Sequence, residues 1–332
     1  SRARAEQQLA THLALGLAQQ IALGPATKES GAHYEQALAI SQSLNKVDRE
    51  RFLATWGIWF YCAMTGRTAE SYRHADNLVS IARELDDPDL LLEAFHARIP
   101  GLQRRAHFPE IKEACEEVIR RYSRERHRDH GYFFGGHDAR VCAQSFCCLA
   151  LWGLGLFDQA AQMGKQSIDD ARDLGHAYSI AHAMHQTSGI FMLLDDVNMC
   201  QSIADELYPI AERNKFPWPL ACARFLRGWL MTRQGDPDGG IAQMQEAVND
   251  PAVLNRLPTL LALVAECQIR AGHHQDALRT LDRATKAITS MQARFCEPEI
   301  ARLRGDVFVQ QSRSNVRDAE TAFRQAIATA HQ

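Results

Sequence analysis

GLFDQAAQMGKQS, Gly155–Ser167, sets the register of the whole chain. Its glycine lies near the end of an uncharged stretch, Val141 to Phe157, that contains too few residues to span a membrane and reads as a buried helix. Five residues on stands Ala160, and seven further on stands Ser167. Gly66, Gly235 and Gly272 repeat the pattern, followed by Ser71 and Leu78, Gly240 and Ala247, and Ala277 and Ala284. Each unit reads as a helical hairpin. Glycine supplies the tight turn after the first helix. Small residues on the second helix let the two backbones approach closely.

Weaker copies fill the gaps. AHFPEIKEACEEV places Ala106 at a turn, and DDVNMCQSIADEL places Asp195 at another. The turns at 66, 106, 155, 195, 235 and 272 are then separated by steps of 40, 49, 40, 40 and 37 residues. Outer copies at SGAHYEQALAI and VRDAETAFRQAIA bring the total to about eight helix pairs. No run of alternating β-branched residues bounded by turns is evident, so the expected fold is an all-α, right-handed solenoid. Leu-Gly-x-Phe-x-x-Ala at 154–160 and Ala-Gly-x-His-x-x-Ala at 271–277 resemble the signature of the tetratricopeptide repeat.

Composition supports a globular chain and excludes some partners. Of 332 residues, 46% are hydrophobic and 23% charged, enough to bury a sizeable core. A net charge of −3 gives no general electrostatic drive toward nucleic acid or an anionic membrane. The basic run RRYSRERHR is diluted by Glu125 and Asp129 and reads as a solvated helix end. Nine cysteines, an odd number without a CxxC pair, point to free, buried thiols and a cytoplasmic location. Cys147 and Cys148 read as core residues. Ser1 opens directly into amphipathic helix, and both ends read as cut from a longer chain.

Four further segments carry a narrower resemblance. DDPDLLLEAFHA (86–97), GGHDARVCAQSFCCLALWGLGLFDQA (135–160), KFPWPLACARFLRGWLMTRQGD (215–236) and ARFCEPEIARLRGDVFV (293–309) occur in this order. Together they resemble the C-terminal repeat region of bacterial multidomain signalling ATPases, especially those fused to a class III adenylate/guanylate cyclase domain. In that family a cyclase or other effector precedes a P-loop ATPase and then a helical array. The resemblance implies a regulatory part of a signalling protein, without catalytic residues of its own. Gly164-Lys165 has neither the first glycine nor the Ser/Thr of a phosphate-binding loop. The family usually has Pro where Ala139 stands, and an unbroken helix where this chain has Pro100-Gly101, which is expected to kink or end that helix.

In a tetratricopeptide array the first helices line a concave groove. Counting back from each turn places Trp56, Phe60, His96, Trp152, His185, Phe225 and Trp229 near that face, as candidates to hold a protein or peptide, including the chain's own ATPase or effector domains. Trp229, beside the small Gly228, is the favoured groove residue. Partner binding would then select one curvature of the superhelix and one effector state. The alternative is a small-molecule sensor, as in ATPase-type transcription regulators. No cofactor is expected. His182 and His185 share one helix face and read as a polar stripe, and His273-His274 as a solvated turn.

The long step of 49 contains RHRDHGYFFGGHD, Arg126–Asp138, with three histidines and two aspartates. Its histidines are separated by flexible glycine, so no metal site is expected. The reading is an inter-repeat loop and hinge, 126–138, between an N-terminal half of the array (1–125) and a C-terminal half (139–332). Gly135-Gly136 would give the turn, His137 would follow it, and Asp138 would cap the helix beginning at Ala139. Tyr132, Phe133 and Phe134 would pin the loop to the array.

Overall fold

A computed structural model describes residues 1–23, 26–311 and 315–330, and within them the chain is helical and contains no strand. Its contacts divide it into two compact units, Ser1–Gln103 with His107–Ser179, and Arg104–Ala106 with Ile180–Gln332.

In the first unit, α1 (Arg2–Leu23) pairs with α2 (Lys28–Ser43), and α3 (Arg49–Met64) with α4 (Thr68–Glu84). Next come α5 (Pro88–Arg104) and α6 (Phe108–Arg121), the single turn α7 (Arg124–His127), and the pair α8 (Ala139–Gly153) and α9 (Phe157–Leu174). The second unit continues with α10 (Ala177–Leu193) and α11 (Val197–Arg213), α12 (Pro217–Arg233) and α13 (Pro237–Ala247). It ends with α14 (Leu257–Arg270) and α15 (His274–Met291), then α16 (Glu297–Gln311) and α17 (Val316–Ala330). These are the eight helix pairs of a tetratricopeptide-like solenoid. SGAHYEQALAI lies in α2 and VRDAETAFRQAIA in α17, the second helices of the outermost pairs.

All six turns anticipated from the spacing share one backbone solution. Gly66, Ala106, Gly155, Asp195, Gly235 and Gly272 have φ between 55° and 100°. In each case the next residue donates its N–H to the carbonyl five residues back: Arg67 to Cys62, His107 to Leu102, Leu156 to Leu151, Asp196 to Phe191, Asp236 to Met231 and His273 to Gln268. This left-handed closure satisfies carbonyls that the helix end would otherwise strand. It explains why glycine holds four of the six positions. Aspartates then start several helices: Asp48, Asp138, Asp196 and Asp236 each accept from a backbone N–H three residues on.

First and second helices are buried differently. α8 is buried at nearly every position from Ala139 to Leu151, as an inner helix packed on several sides must be. α15 buries only Ala277, Leu281, Ala284, Ala287 and Ile288, a single stripe. The small residues work as the spacing implies. A Cβ on Gly228 would lie 2.8 Å from the Gly240 carbonyl oxygen, and one on Gly240 2.5 Å from that of Gly228, so α12 and α13 meet backbone to backbone.

Pro100 does not end α5, which runs unbroken to Arg104. Loss of one helical hydrogen bond is outweighed by packing. Gly101 lets α5 close on the Tyr72 ring of α4, where a Cβ would come within 2.8 Å. Among the described residues no helix is long and apolar enough to cross a membrane.

Candidate functional site: a histidine cluster beneath the 126–138 loop

The loop is built into the first unit. Phe134 is buried in the apolar cluster of α3, α4 and α5, its ring 6.3 Å from Phe52 and 5.4 Å from Trp56. Gly135 and Gly136 have φ of 84° and 81°, and Gly136 donates to the Gly131 carbonyl. A Cβ on Gly135 would also press on Trp56, at 3.4 Å. Asp138 caps α8 as expected, accepting from Val141 N at 3.0 Å. Its other oxygen accepts from the Tyr122 hydroxyl at 2.5 Å, and its own N–H donates to Ser179 Oγ at 2.9 Å. The segment is braced on several sides. One expectation is corrected here. Phe134 alone of the three aromatics pins it by burial; Tyr132 and Phe133 are largely exposed, Tyr132 with its ring centre 5.8 Å from that of His176.

Beneath the loop lies a chain of imidazoles and carboxylates on α5. Asp89, in its first turn, accepts from Arg126 and from His127 Nε2, the latter at 2.9 Å. The Ser123 N–H donates to His127 Nδ1 at 2.8 Å, so the ring proton sits on Nε2, facing Asp89. Glu93, one turn on, has no exposed surface. Its Oε1 accepts from His130 Nδ1 at 2.9 Å and its Oε2 from His96 Nδ1 at 3.0 Å. His96 Nε2 then meets His137 Nε2 at 3.1 Å.

Hydrogen-bond accounting assigns the protons. A carboxylate only accepts, so His96 Nδ1 carries hydrogen. His137 Nδ1 faces the Gly135 carbonyl at 2.9 Å, so it too carries hydrogen, leaving His137 Nε2 with a lone pair. His96 Nε2 must therefore donate, and His96 is an imidazolium. The electrostatics agree. Burial works against the His96 charge, but the adjacent Cys142 and Glu93 outweigh it and raise its pKa to about 10. Burial and the His96 charge hold His137 well below the ordinary histidine value. Burial opposes ionisation of Glu93 as well, yet the bonds from His130 and His96 bring its pKa down. His96, His137 and Cys142 each offer a ligand atom, all within 4.8 Å of one another.

The candidate groove residues are distributed unevenly. Trp56 and His96 are buried in the first unit, where Trp56 contacts both Phe60 and the loop residue Phe134. Phe60 and Trp152 are half-buried. In the second unit His185, Phe225 and Trp229 have no exposed surface. The expectation that Trp229 faces a groove is thereby corrected. Gly228 does take the small packing position, against Gly240, but its neighbour lies about 100° around the helix and points into the core. The Arg233 guanidinium covers the Trp229 ring at 4.4 Å. Arg233 is itself held by Asp195 at 2.8 Å and Glu266 at 3.6 Å.

Two other features of the second unit are polar. His182 and His185 are buried with ring centres 5.0 Å apart, and Trp218 lies 4.8 Å from His185. Arg256 donates to the His185 carbonyl at 2.9 Å. Between α13, α14 and α15 lies a cleft of about 290 Å³, lined in part by Asn249, Gln268, Arg279 and Arg283. Gln268 is buried, and its Oε1 accepts no hydrogen bond among the described residues. All nine cysteines are free and buried. The basic run is neutralised locally: Arg120 and Arg121 by Glu117, Arg126 by Asp89.

The cluster was only half legible in the sequence. The density of histidine in 126–138 marked the place, but Glu93 and His96 come from a helix about forty residues earlier. They lie in the first of the four segments that carry the family resemblance, and His137, Asp138 and Cys142 lie in the second.

No protein-family model matches the chain. It is 22% identical over 256 residues to an uncharacterized protein of Rhizobium meliloti (strain 1021), covering 76% of this chain. The chain spans about a quarter (24%) of that relative's length. Among solved structures, a Rap protein complexed with Competence and Sporulation Factor is similar with a TM-score of 0.67, over 99% of this chain and 98% of that one, at 11% identity. That likeness supports the helical-repeat fold.

Proposed function

We propose that this chain is a non-catalytic regulatory domain that binds a protein or peptide segment and controls an attached signalling module, an ATPase with a cyclase or other effector. The observation that carries the reading is the succession of eight helix pairs, an architecture whose repeated surfaces suit extended partners. Similarity to a Rap protein in complex with Competence and Sporulation Factor supports it, since that fold accommodates a bound factor. The matching region forms about a quarter (24%) of the Rhizobium relative, which supports a role within a larger protein. The partner acts by favouring one of two states of the attached module, and needs only a difference in affinity between them.

The test uses the full-length protein. ATP hydrolysis and cyclic-nucleotide formation are measured with the repeat region intact and deleted. A several-fold change on deletion, with no hydrolysis by the isolated chain, is the expected result. Unchanged output, or hydrolysis by the isolated chain, defeats the reading.

One observation favours a small-molecule sensor as the second reading. The cleft between α13, α14 and α15 holds an unpartnered buried acceptor, Gln268 Oε1, beside two arginines. A saturable thermal shift with a metabolite, removed by Gln268→Leu, would support it.

A further inference from the structure

We propose that His96 Nε2, His137 Nε2 and the Cys142 sulfur form a three-ligand site for a borderline divalent cation of the zinc class. The three ligand atoms lie within 4.8 Å of one another. The two imidazole nitrogens are 3.1 Å apart. Two zinc–nitrogen bonds of about 2.0–2.1 Å at the tetrahedral angle would separate them by about 3.4 Å, a shift of a few tenths of an ångström. Two imidazoles and a thiolate suit zinc and its neighbours and disfavour the hard, oxygen-seeking magnesium and calcium.

The surroundings are those of a ligand set already oriented. Metal-binding histidines give their second ring N–H to a carboxylate or a backbone carbonyl. His96 gives Nδ1–H to Glu93, and His137 gives Nδ1–H to the Gly135 carbonyl. Both bonds place hydrogen on Nδ1 and leave Nε2 for coordination. Glu93 is held in turn by His130. The ligands stand on α5, on α8 and on a loop anchored by Phe134 and Asp138, so little ordering remains to be done on binding.

Charge is compatible with a dication. Cysteine binds metal as the thiolate and histidine as the neutral ring, so a bound dication would face the Cys142 sulfur with the Glu93 carboxylate behind His96, and would not be an uncompensated buried ion. His96 and Cys142 are buried while His137 is half-buried. His127 and His130 are not ligands. They serve Asp89 and Glu93.

The full chain, stripped with a chelator, is titrated with Co²⁺ and then Zn²⁺. One equivalent of Co²⁺ should produce a thiolate-to-cobalt charge-transfer band, and one equivalent of Zn²⁺ should abolish it. Cys142→Ser and His137→Ala should each eliminate the band while circular dichroism shows the helices intact. Glu93→Gln should weaken binding by roughly 10–100-fold. Absence of saturable binding at one equivalent, or a band that persists in folded His137→Ala, overturns the proposal. Should Cys142→Ser fail to fold, His137→Ala decides alone, because its side chain is half-buried and in a loop.

Discussion

Glu93 and His130 are joined by a 2.9 Å hydrogen bond across thirty-seven residues of chain, between the inner face of α5 and a loop nine residues longer than its repeat requires. The bond is one of two that a fully buried carboxylate receives, the other being from His96. A carboxylate in that position is stable only while both imidazoles donate to it. Glu93→Gln presents an N–H to one of two donors. It is expected to destabilise the metal-free chain by about 3 kcal/mol, the scale of a broken buried pair. Denaturant unfolding measures it, and a loss within error of zero would mean the network contributes nothing to the fold.

Two glycines in the repeat register should respond in opposite ways to the same substitutions. Gly155 has φ of 77° and open space around its missing Cβ. Gly155→Ala is expected to destabilise by about 1–2 kcal/mol, and Gly155→Asn by less, because asparagine tolerates the left-handed region. Gly240 faces the Gly228 carbonyl at 2.5 Å from a built Cβ. There asparagine should be worse than alanine, since volume and not φ is limiting. Thermal melts of the four variants give the order.

Trp229 and Trp152 separate core from surface. Trp229→Ala is expected to lose about 3–5 kcal/mol through cavity formation. Trp152 is half-buried, and Trp152→Ala should lose distinctly less. Equal losses in chemical denaturation would contradict the difference in burial between the two rings.

Acidification should weaken the first unit through His74. Burial, with help from Arg73 and Arg67 and against the pull of Glu70, lowers its pKa below 6.5. Between the folded value and 6.5 the unfolded chain holds a proton that the folded chain does not. Stability from this site therefore rises with pH through that window and is lost as pH falls. Relative to His74→Leu, the wild-type chain should lose stability between about pH 8 and about pH 5. A constant difference between the two across that range would exclude the effect.

The repeat register was legible because it is local. Turn glycines, the small residue five positions on and the aspartate caps act within one hairpin, and periodicity exposes them without knowledge of the fold. That is why the turns at Ala106 and Asp195 could be placed although neither is glycine. Continuity through Pro100 was not legible, because packing of Gly101 against Tyr72 decides it. Nor was the burial of Trp229, since an inner helix buries nearly every face and leaves no polar stripe to mark its outer side.

An all-helical array of eight pairs follows from residue order, since hydrophobic period and backbone chirality depend on neighbours only a few residues apart. What the histidines do depends on the folded chain. His96 and His137 stand forty-one residues apart and carry no shared spacing. Their proton positions, and their fitness as a pair of ligands, follow from the carboxylate behind one and the carbonyl behind the other. Those partners meet only when a loop with one buried phenylalanine closes over α5.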